Sequence, residues 1–251
     1  MSAPYDNYDY PAYWTGREYE HESEVMAIRA FLQKIPKIRT ILEVGAGFGR
    51  LVPAYAFRAK KIILSDPSGK LLSLARLSYP QKYFSFIQTT ALNLPKKIRR
   101  GSVDLVMCVR VIHHLEEIDQ VIENFCATLK KRGYLILEFA NKRHLKATVL
   151  EFFKGNFTFP IDIFPKDRRS LRSQRAKSLP FLNYHPDEVR RKLLECDFQI
   201  LETRSVSNIR SPFLKRHLST ETLVSLERFL QKPLSYINFG PSIFVLAQKR
   251  S

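Results

Sequence analysis

Arg39-Thr-Ile-Leu-Glu-Val-Gly-Ala-Gly-Phe-Gly-Arg50 begins as an apolar, β-branched run and then breaks into glycines at every second position. The run reads as a strand buried on both faces. Glycines after it permit positive φ and a close backbone approach to a ligand, and the helix predicted over residues 49–58 offers unpaired N–H donors at its start. The spacing narrows the ligand. A dinucleotide fingerprint needs G-x-G-x-x-G, whose third glycine lets the helix pack beside a pyrophosphate. Gly45, Gly47 and Gly49 give G-x-G-x-G instead, and Arg50 stands where that pattern wants a small residue. No G-K-[ST] follows, which excludes a phosphate-cradling P-loop.

Working outward, apolar runs alternate with helix-like segments. Strands are predicted over residues 39–44, 61–65, 85–88, 102–109 and 133–140, then over 198–206 and 242–248. Helices are predicted over 20–34, 69–78, 118–131, 144–154, 185–196 and 220–231, with Gly133 as the stop signal after the third of these. This alternation predicts an α/β fold, a doubly wound and mostly parallel seven-stranded sheet with right-handed crossovers. Residues 1–38 read as an N-terminal lid and helix, and 39–251 as the core. A basic, weakly periodic insertion spans about 142–183, after the fifth strand, and a helical insertion about 207–235. Asp66 ends the second strand, 17 residues past Gly49. An acid there is suited to a ribose diol, and Asp-Pro-Ser-Gly equally reads as a turn with Asp66 capping the next helix.

Composition sets the class. The 251 residues are 45% hydrophobic, as in a globular chain, and no apolar run approaches the length of a membrane helix. The opening MSAPYDNYDYPAYW lacks the basic and apolar regions of a secretory signal, and Cys108, Cys126 and Cys196 are few and far apart. A cytoplasmic protein with no structural metal is expected. The net charge of +17 is concentrated after residue 24, in 96–100, 166–177 and 190–192. It reads either as a site for an anionic partner or as a solvated basic surface.

Taken together, E-V-G-A-G-F-G, L-S-D-P-S, A-L-N-L-P, S-V-D-L-V-M-C-V-R-V-I-H-H-L and G-Y-L-I-L-E-F resemble the class I S-adenosylmethionine-dependent methyltransferases. Within these the chain looks most like the branch of ubiquinone-, menaquinone-type and other small-molecule enzymes. The likeness covers residues 39–141 well and reaches loosely to 184–199. It implies a Rossmann-like fold and S-adenosyl-L-methionine as cofactor, leaving S-adenosyl-L-homocysteine. It also implies roles. Gly45, Ala46 and Gly47, with Gly49 completing the loop, would line the methionine end, and Glu43 would orient its amino group. Asp66 would take the ribose hydroxyls, with Pro67 and Ser68 beside it. Thr90, Ala91 and Leu92 would flank the adenine, and Cys108, Val109 and Arg110 would run along the methionine moiety. Relatives often carry Asp where Thr90 stands, which weakens the adenine contact, and Gly where Asp197 stands.

The aromatic segment from Tyr8 to His21 resembles a lid in related enzymes. Arg17 there would meet the methionine carboxylate through a charge-assisted fork, and Tyr13 or Trp14 would shield the sulfonium. These aromatics equally serve to pack the leading helix onto the sheet. His113 and His114 leave the fourth strand at the edge where open α/β sheets bind ligands. Either would take a proton from an acceptor hydroxyl or amine, or simply pack beneath the loop. The leading expectation is methyl transfer to O, N or C of a small-molecule acceptor, with the basic insertion favouring an anionic one. The alternative acceptor is RNA, its phosphates gripped by the insertion and by residues 96–100. A non-catalytic cofactor binder or a nicotinamide oxidoreductase is the third class.

Overall fold

The computed structural model describes residues 6, 9–176 and 178–251. Tyr8 of the aromatic segment and Lys177 of the basic run lie outside the described residues. Helices α1 (Tyr10–Tyr13) and α2 (Glu18–Leu32) lead. The core then alternates through β1 (Thr40–Val44), α3 (Val52–Tyr55), β2 (Lys61–Asp66), α4 (Gly69–Ser78), β3 (Phe84–Gln88), β4 (Val103–Cys108), α5 (Ile118–Thr128) and β5 (Leu129–Ala140). Next come α6 (Leu145–Phe153), β6 (Lys166–Asp167), α7 (Leu171–Arg175), β7 (Leu182–Asn183), α8 (Pro186–Glu195) and β8 (Phe198–Val206). The chain closes with α9 (Pro212–His217), α10 (Thr220–Ser235) and β9 (Ser242–Lys249).

Seven strands form one sheet in the order β3-β2-β1-β4-β5-β9-β8. All neighbours are parallel except at β9, which runs antiparallel to both β5 and β8. The Rossmann-like, doubly wound sheet expected from the alternating runs is therefore the fold found. Strand side chains alternate between two cores. Ile41 of β1 joins Ile28, Phe31 and Leu32 of α2 on one face. Leu42 joins Val121, Ile122 and Phe125 of α5 and Val189 and Leu193 of α8 on the other. Each such side chain contributes about 1.5–3 kcal/mol of burial.

Three local readings are corrected. The helix expected over 49–58 is broken, because Gly49 has φ of 82° and ordered helix begins only at Val52 with Pro53 in its first turn. A 3-10 turn over Ala56–Arg58 follows. Gly133 does not stop α5, which ends at Thr128. It lies inside β5, where the pairing with β4 shifts register, and a Cβ there would come within 2.9 Å of the Lys130 carbonyl. Residues 156–180, which showed little periodicity, include β6 and α7, and β6 pairs antiparallel with β7. Asp197 turns out to hold a position suited to glycine: it follows the C-cap of α8 at φ of 64°, where the helix reverses into β8.

Strand order reverses between β1 and β4, so the loops after them diverge and leave a crevice at the carboxyl edge. Residues 142–183 leave the sheet at that edge after β5, and residues 207–217 leave it after β8. A buried carboxylate fixes the second departure. Glu227 of α10 accepts from the Tyr19 hydroxyl (2.6 Å), from the Ser207 and Asn208 N–H groups (2.8 and 3.1 Å) and from Asn208 Nδ2 (2.9 Å). Tyr19 Oη in turn accepts from the Ile209 N–H at 2.9 Å. Removing the carboxylate strands several buried donors at once. Glu227→Ala is expected to lower unfolding stability by about 3 kcal/mol, read from urea midpoints. A loss under about 1 kcal/mol would show that this network does not hold α2 and α10 together.

Candidate cofactor and acceptor site

The glycine loop lies at the β1/β4 crevice, and its three glycines serve different ends. A Cβ on Gly45 would sit 2.1 Å from Val111 Cγ2, and one on Gly49 would sit 2.6 Å from the Tyr79 ring. Both are small because the fold leaves no room. At Gly47 a Cβ would meet only Leu71 and Tyr10, each at 3.8 Å, so this glycine faces the cleft itself. Four of the loop's donors are already engaged. Gly45 and Ala46 donate to the Ser65 carbonyl (2.8 and 3.0 Å), Gly49 donates to Ala46 (2.9 Å), and Gly47 donates to Asp66 Oδ2 (2.8 Å). Much of the expected row of unpaired N–H groups is thus taken up by the loop itself.

Asp66 is buried at the end of β2, and its Oδ1 accepts from the Ser68 N–H at 2.8 Å. Ser68, not Asp66, caps α4, accepting from the Leu71 N–H. Burial raises the Asp66 carboxyl above its usual range, against the lowering effect of the Ser68 and Gly47 N–H groups. An ionised carboxylate has about four lone-pair sites, so two stay available to a diol. Pro67 beside it is half-buried, and its carbonyl accepts from Gln88 Nε2 at 3.0 Å. The cradle fits a ribose next to a close-approach backbone.

Glu43, on the neighbouring strand, is buried and accepts from the Tyr55 hydroxyl. Burial pushes its carboxyl up to about 7, against the Tyr55 hydrogen bond and the Arg50 charge. Across the crevice Cys108 and Val109 are buried, and burial raises the Cys108 thiol. Ala91 is buried and Leu92 half-buried, their carbonyls held by Asn124 Nδ2 (3.2 and 3.1 Å). Thr90 is exposed, and its hydroxyl accepts from Asn93 N and Nδ2, capping the 3-10 turn Ala91–Lys96.

The leading segment lies on the loop. Tyr10 packs edge-on to Phe48 at 6.1 Å, and Ser68 Oγ donates to Asp6 Oδ1 at 2.6 Å. Arg17 is exposed and stacks on the Tyr13 ring at 4.2 Å. The guanidiniums held beside the loop are instead Arg50 and Arg110. Both bind buried Glu24 of α2, Arg50 Nη2 at 2.6 Å and Arg110 Nε at 2.5 Å. Trp14 covers them, 3.5 Å from Arg50 Cζ and 4.8 Å from Arg110 Cζ. The Arg110 N–H donates to Glu138 Oε2 at 2.7 Å, a bond that its φ of 59° accompanies. Burial tends to raise the Glu24 carboxyl, but the two arginines outweigh it and hold it below the usual range. Sequence reasoning missed Glu24 as a site residue. Its signal was there: Glu24 stands four residues before Ile28 and seven before Phe31, on the apolar face of α2.

His113 and His114 form the 3-10 turn after β4, their rings 4.0 Å apart. His114 Nδ1 lies 2.7 Å from the Pro180 carbonyl. His113 is buried against Phe181, ring centroids 4.7 Å apart, and its Nδ1 has no partner among the described residues. Burial, with the His114 and Arg110 charges, holds His113 well below the usual range, hence neutral.

Comparison with known proteins matches residues 42–137 to a family model described as a methyltransferase domain. The tRNA 5-carboxymethoxyuridine methyltransferase of Escherichia coli strain K12 is 25% identical over 228 residues, 88% of this chain and 84% of that one. A SAM-dependent methyltransferase from Thermotoga maritima superposes with a TM-score of 0.64 at 17% identity, covering 99% of this chain and 98% of its own. Magnesium protoporphyrin IX methyltransferase from Synechocystis PCC 6803, solved with bound SAH, has a TM-score of 0.57 at 21% identity, covering 92% and 84%.

The Glu43 carboxyl gives a pH signature. Its folded value near 7 exceeds the unfolded value of about 4.3, so the folded chain keeps a proton that the unfolded chain loses. Its contribution to stability therefore falls as pH rises from about 4.3 to about 7 and is constant above. Glu43→Gln removes that slope. Urea midpoints are expected to favour the variant over the parent at about pH 8 and not at about pH 4. Parallel midpoint curves would contradict a proton held on Glu43.

Proposed function

We propose that this chain is a class I S-adenosylmethionine-dependent methyltransferase whose acceptor is a nucleotide of RNA. The carrying observation is where the charge lies. Between residues 142 and 183 ten Lys and Arg stand against three Asp and Glu, and between 207 and 217 three stand against none. A net +10 of the chain's +17 thus belongs to the two segments that leave the sheet at its carboxyl edge. A solvated surface tuned for solubility has no reason to concentrate charge in the segments leaving the sheet at its ligand-binding edge; a polyanion bound there does. The tRNA-modifying relative supports the same class of acceptor, and a small anionic molecule is the competing outcome.

When bound, S-adenosylmethionine supplies the electrophilic methyl group of a sulfonium. We assign the ribose to Asp66, the methionine end to Gly45, Ala46 and Gly47 with Glu43 behind them, and the adenine to Ala91 and Leu92. Residues 9–17 serve as the lid, with Tyr10 and Trp14 as its inner face. His113 is the residue we assign to the acceptor, because His114 is engaged with Pro180. Buried and neutral, His113 orients an acceptor N–H or O–H, or takes its proton where the nucleophile carries one. Methyl displacement needs no obligatory base, so positioning and exclusion of water carry the remainder. We place the reaction in the cytoplasm, where the free thiols of Cys108, Cys126 and Cys196 stay reduced.

Two measurements test this. With methyl-labelled S-adenosylmethionine, the chain is expected to label total tRNA, and nuclease treatment is expected to abolish the acid-insoluble counts. Label appearing only in a small-molecule extract would overturn the RNA acceptor. Asp66→Asn is expected to weaken S-adenosylhomocysteine binding by about 1–3 kcal/mol in calorimetry, because one charged partner of the diol is lost. Unchanged affinity would leave Asp66 as a turn residue only.

A further inference from the structure

The insertion after β5 exposes a surface that the fold itself does not need. None of the residues of α6 is buried, and Leu145, Val149, Leu150, Phe152 and Phe153 are all exposed. Phe153 is 80% exposed and Phe157, in the loop that follows, 66%. Phe152 meets Phe153 and Phe157 edge to face, at 6.0 and 5.0 Å and interplanar angles of 85° and 77°. That arrangement brings three rings together and leaves most of Phe153 and Phe157 open to solvent.

Cations stand near these rings in the sequence. Lys154 and Lys166 both reach Glu151 Oε1, at 3.1 and 2.9 Å, and Arg168, Arg172 and Arg175, further along the same segment, are exposed. The surface is also held in place. Lys142, itself buried, donates to Asp162 Oδ2 (2.7 Å), to the Asp162 carbonyl (2.6 Å) and to the Phe164 carbonyl (2.8 Å). His185 Nε2 lies 2.9 Å from the Pro160 carbonyl. The returning arm carries Phe181 against His113, so the segment that bears these rings also reaches the crevice.

Whatever covers the insertion must therefore accept flat apolar rings and a dense positive charge together. A second copy of the chain would bring like charge against like. Duplex RNA hides its base faces, whereas unpaired RNA offers a ring and a phosphate at every residue. We propose that residues 145–175 form a stacking platform for unpaired RNA, with Phe152, Phe153 and Phe157 receiving bases and the neighbouring Lys and Arg holding phosphates. The platform would select single-stranded or loop nucleotides as substrate. This rests on the RNA reading above and adds to it the form of RNA recognised.

The test uses the full chain with Phe152→Ala, Phe153→Ala and Phe157→Ala combined. The three rings lie outside both cores, so thermal unfolding checks that folding is retained. Anisotropy with a fluorescein-labelled single-stranded RNA oligonucleotide is expected to show at least about tenfold weaker binding by the variant. The dependence of log affinity on log salt should stay unchanged, because no cation is removed. The parent should prefer the single strand to its duplex. Absence of RNA binding and RNA methylation by the parent would overturn the RNA reading and the platform with it. RNA methylation by the parent with undiminished single-strand affinity in the variant would overturn the platform alone. So would ring-dependent binding to phosphatidylglycerol vesicles with RNA affinity unaffected, which would make the surface a membrane contact.

Discussion

The hydrogen bond from the Gly47 N–H to the Asp66 carboxylate ties the end of β2 to the turn after β1. The site is built around this contact. It fixes the loop in a positive-φ conformation beside an acid whose second oxygen is held by Ser68. Because Asp66 is buried, each of these N–H bonds offsets part of the desolvation of its charge. The carboxylate is thus presented in one orientation with lone pairs to spare, as diol recognition requires. Gly45 and Ala46 donate to the Ser65 carbonyl and Gly49 to Ala46, so these three amides hold the loop's own shape.

A second constraint joins this half of the site to the leading helix. Glu24 is an acid on an apolar helix face, and its burial is tolerable only because Arg50 and Arg110 both reach it. One arginine comes from the glycine loop and the other from the end of β4, so a single carboxylate spans the crevice. Glu138 then holds the Arg110 backbone, and Trp14 covers both guanidiniums. Removing any member leaves a buried charge exposed to a low dielectric without its partner. The leading segment is consequently attached through charge and cation–π contacts more than through apolar packing. Contacts of that kind can be exchanged for a charged ligand group.

The parts legible in the sequence were those with a local signature. The glycine spacing, the acid at the end of β2 and the apolar runs each announce themselves within a few residues, and the resulting sheet is the one found. What escaped depended on distant partners. Arg17 looked like the carboxylate-binding arginine because it stands within the lid-like aromatic segment, but whether Arg17 or Arg50 lies beside the loop depends on how α1 folds back. Gly133 resembled a helix stop because the register shift that explains it involves β4, some thirty residues earlier. The helix after the loop was overextended because Gly49 and Pro53 act together, the one bending the chain out of helix and the other suited only to a first turn.

The cofactor half and the acceptor half obey different physics. Gly45 is confined by Val111 and Gly49 by Tyr79, so the loop can hardly vary without moving β4 or α4. The fold dictates these residues whatever the acceptor. Insertion residues such as Phe153 and Phe157 satisfy no such internal demand. Leaving large apolar rings in water is unfavourable, and crowding cations beside them adds repulsion. Stability alone would favour small polar residues at these positions. The side chains least explained by folding are therefore the ones to consult about the acceptor, and they lie in the segment that leaves the sheet after β5.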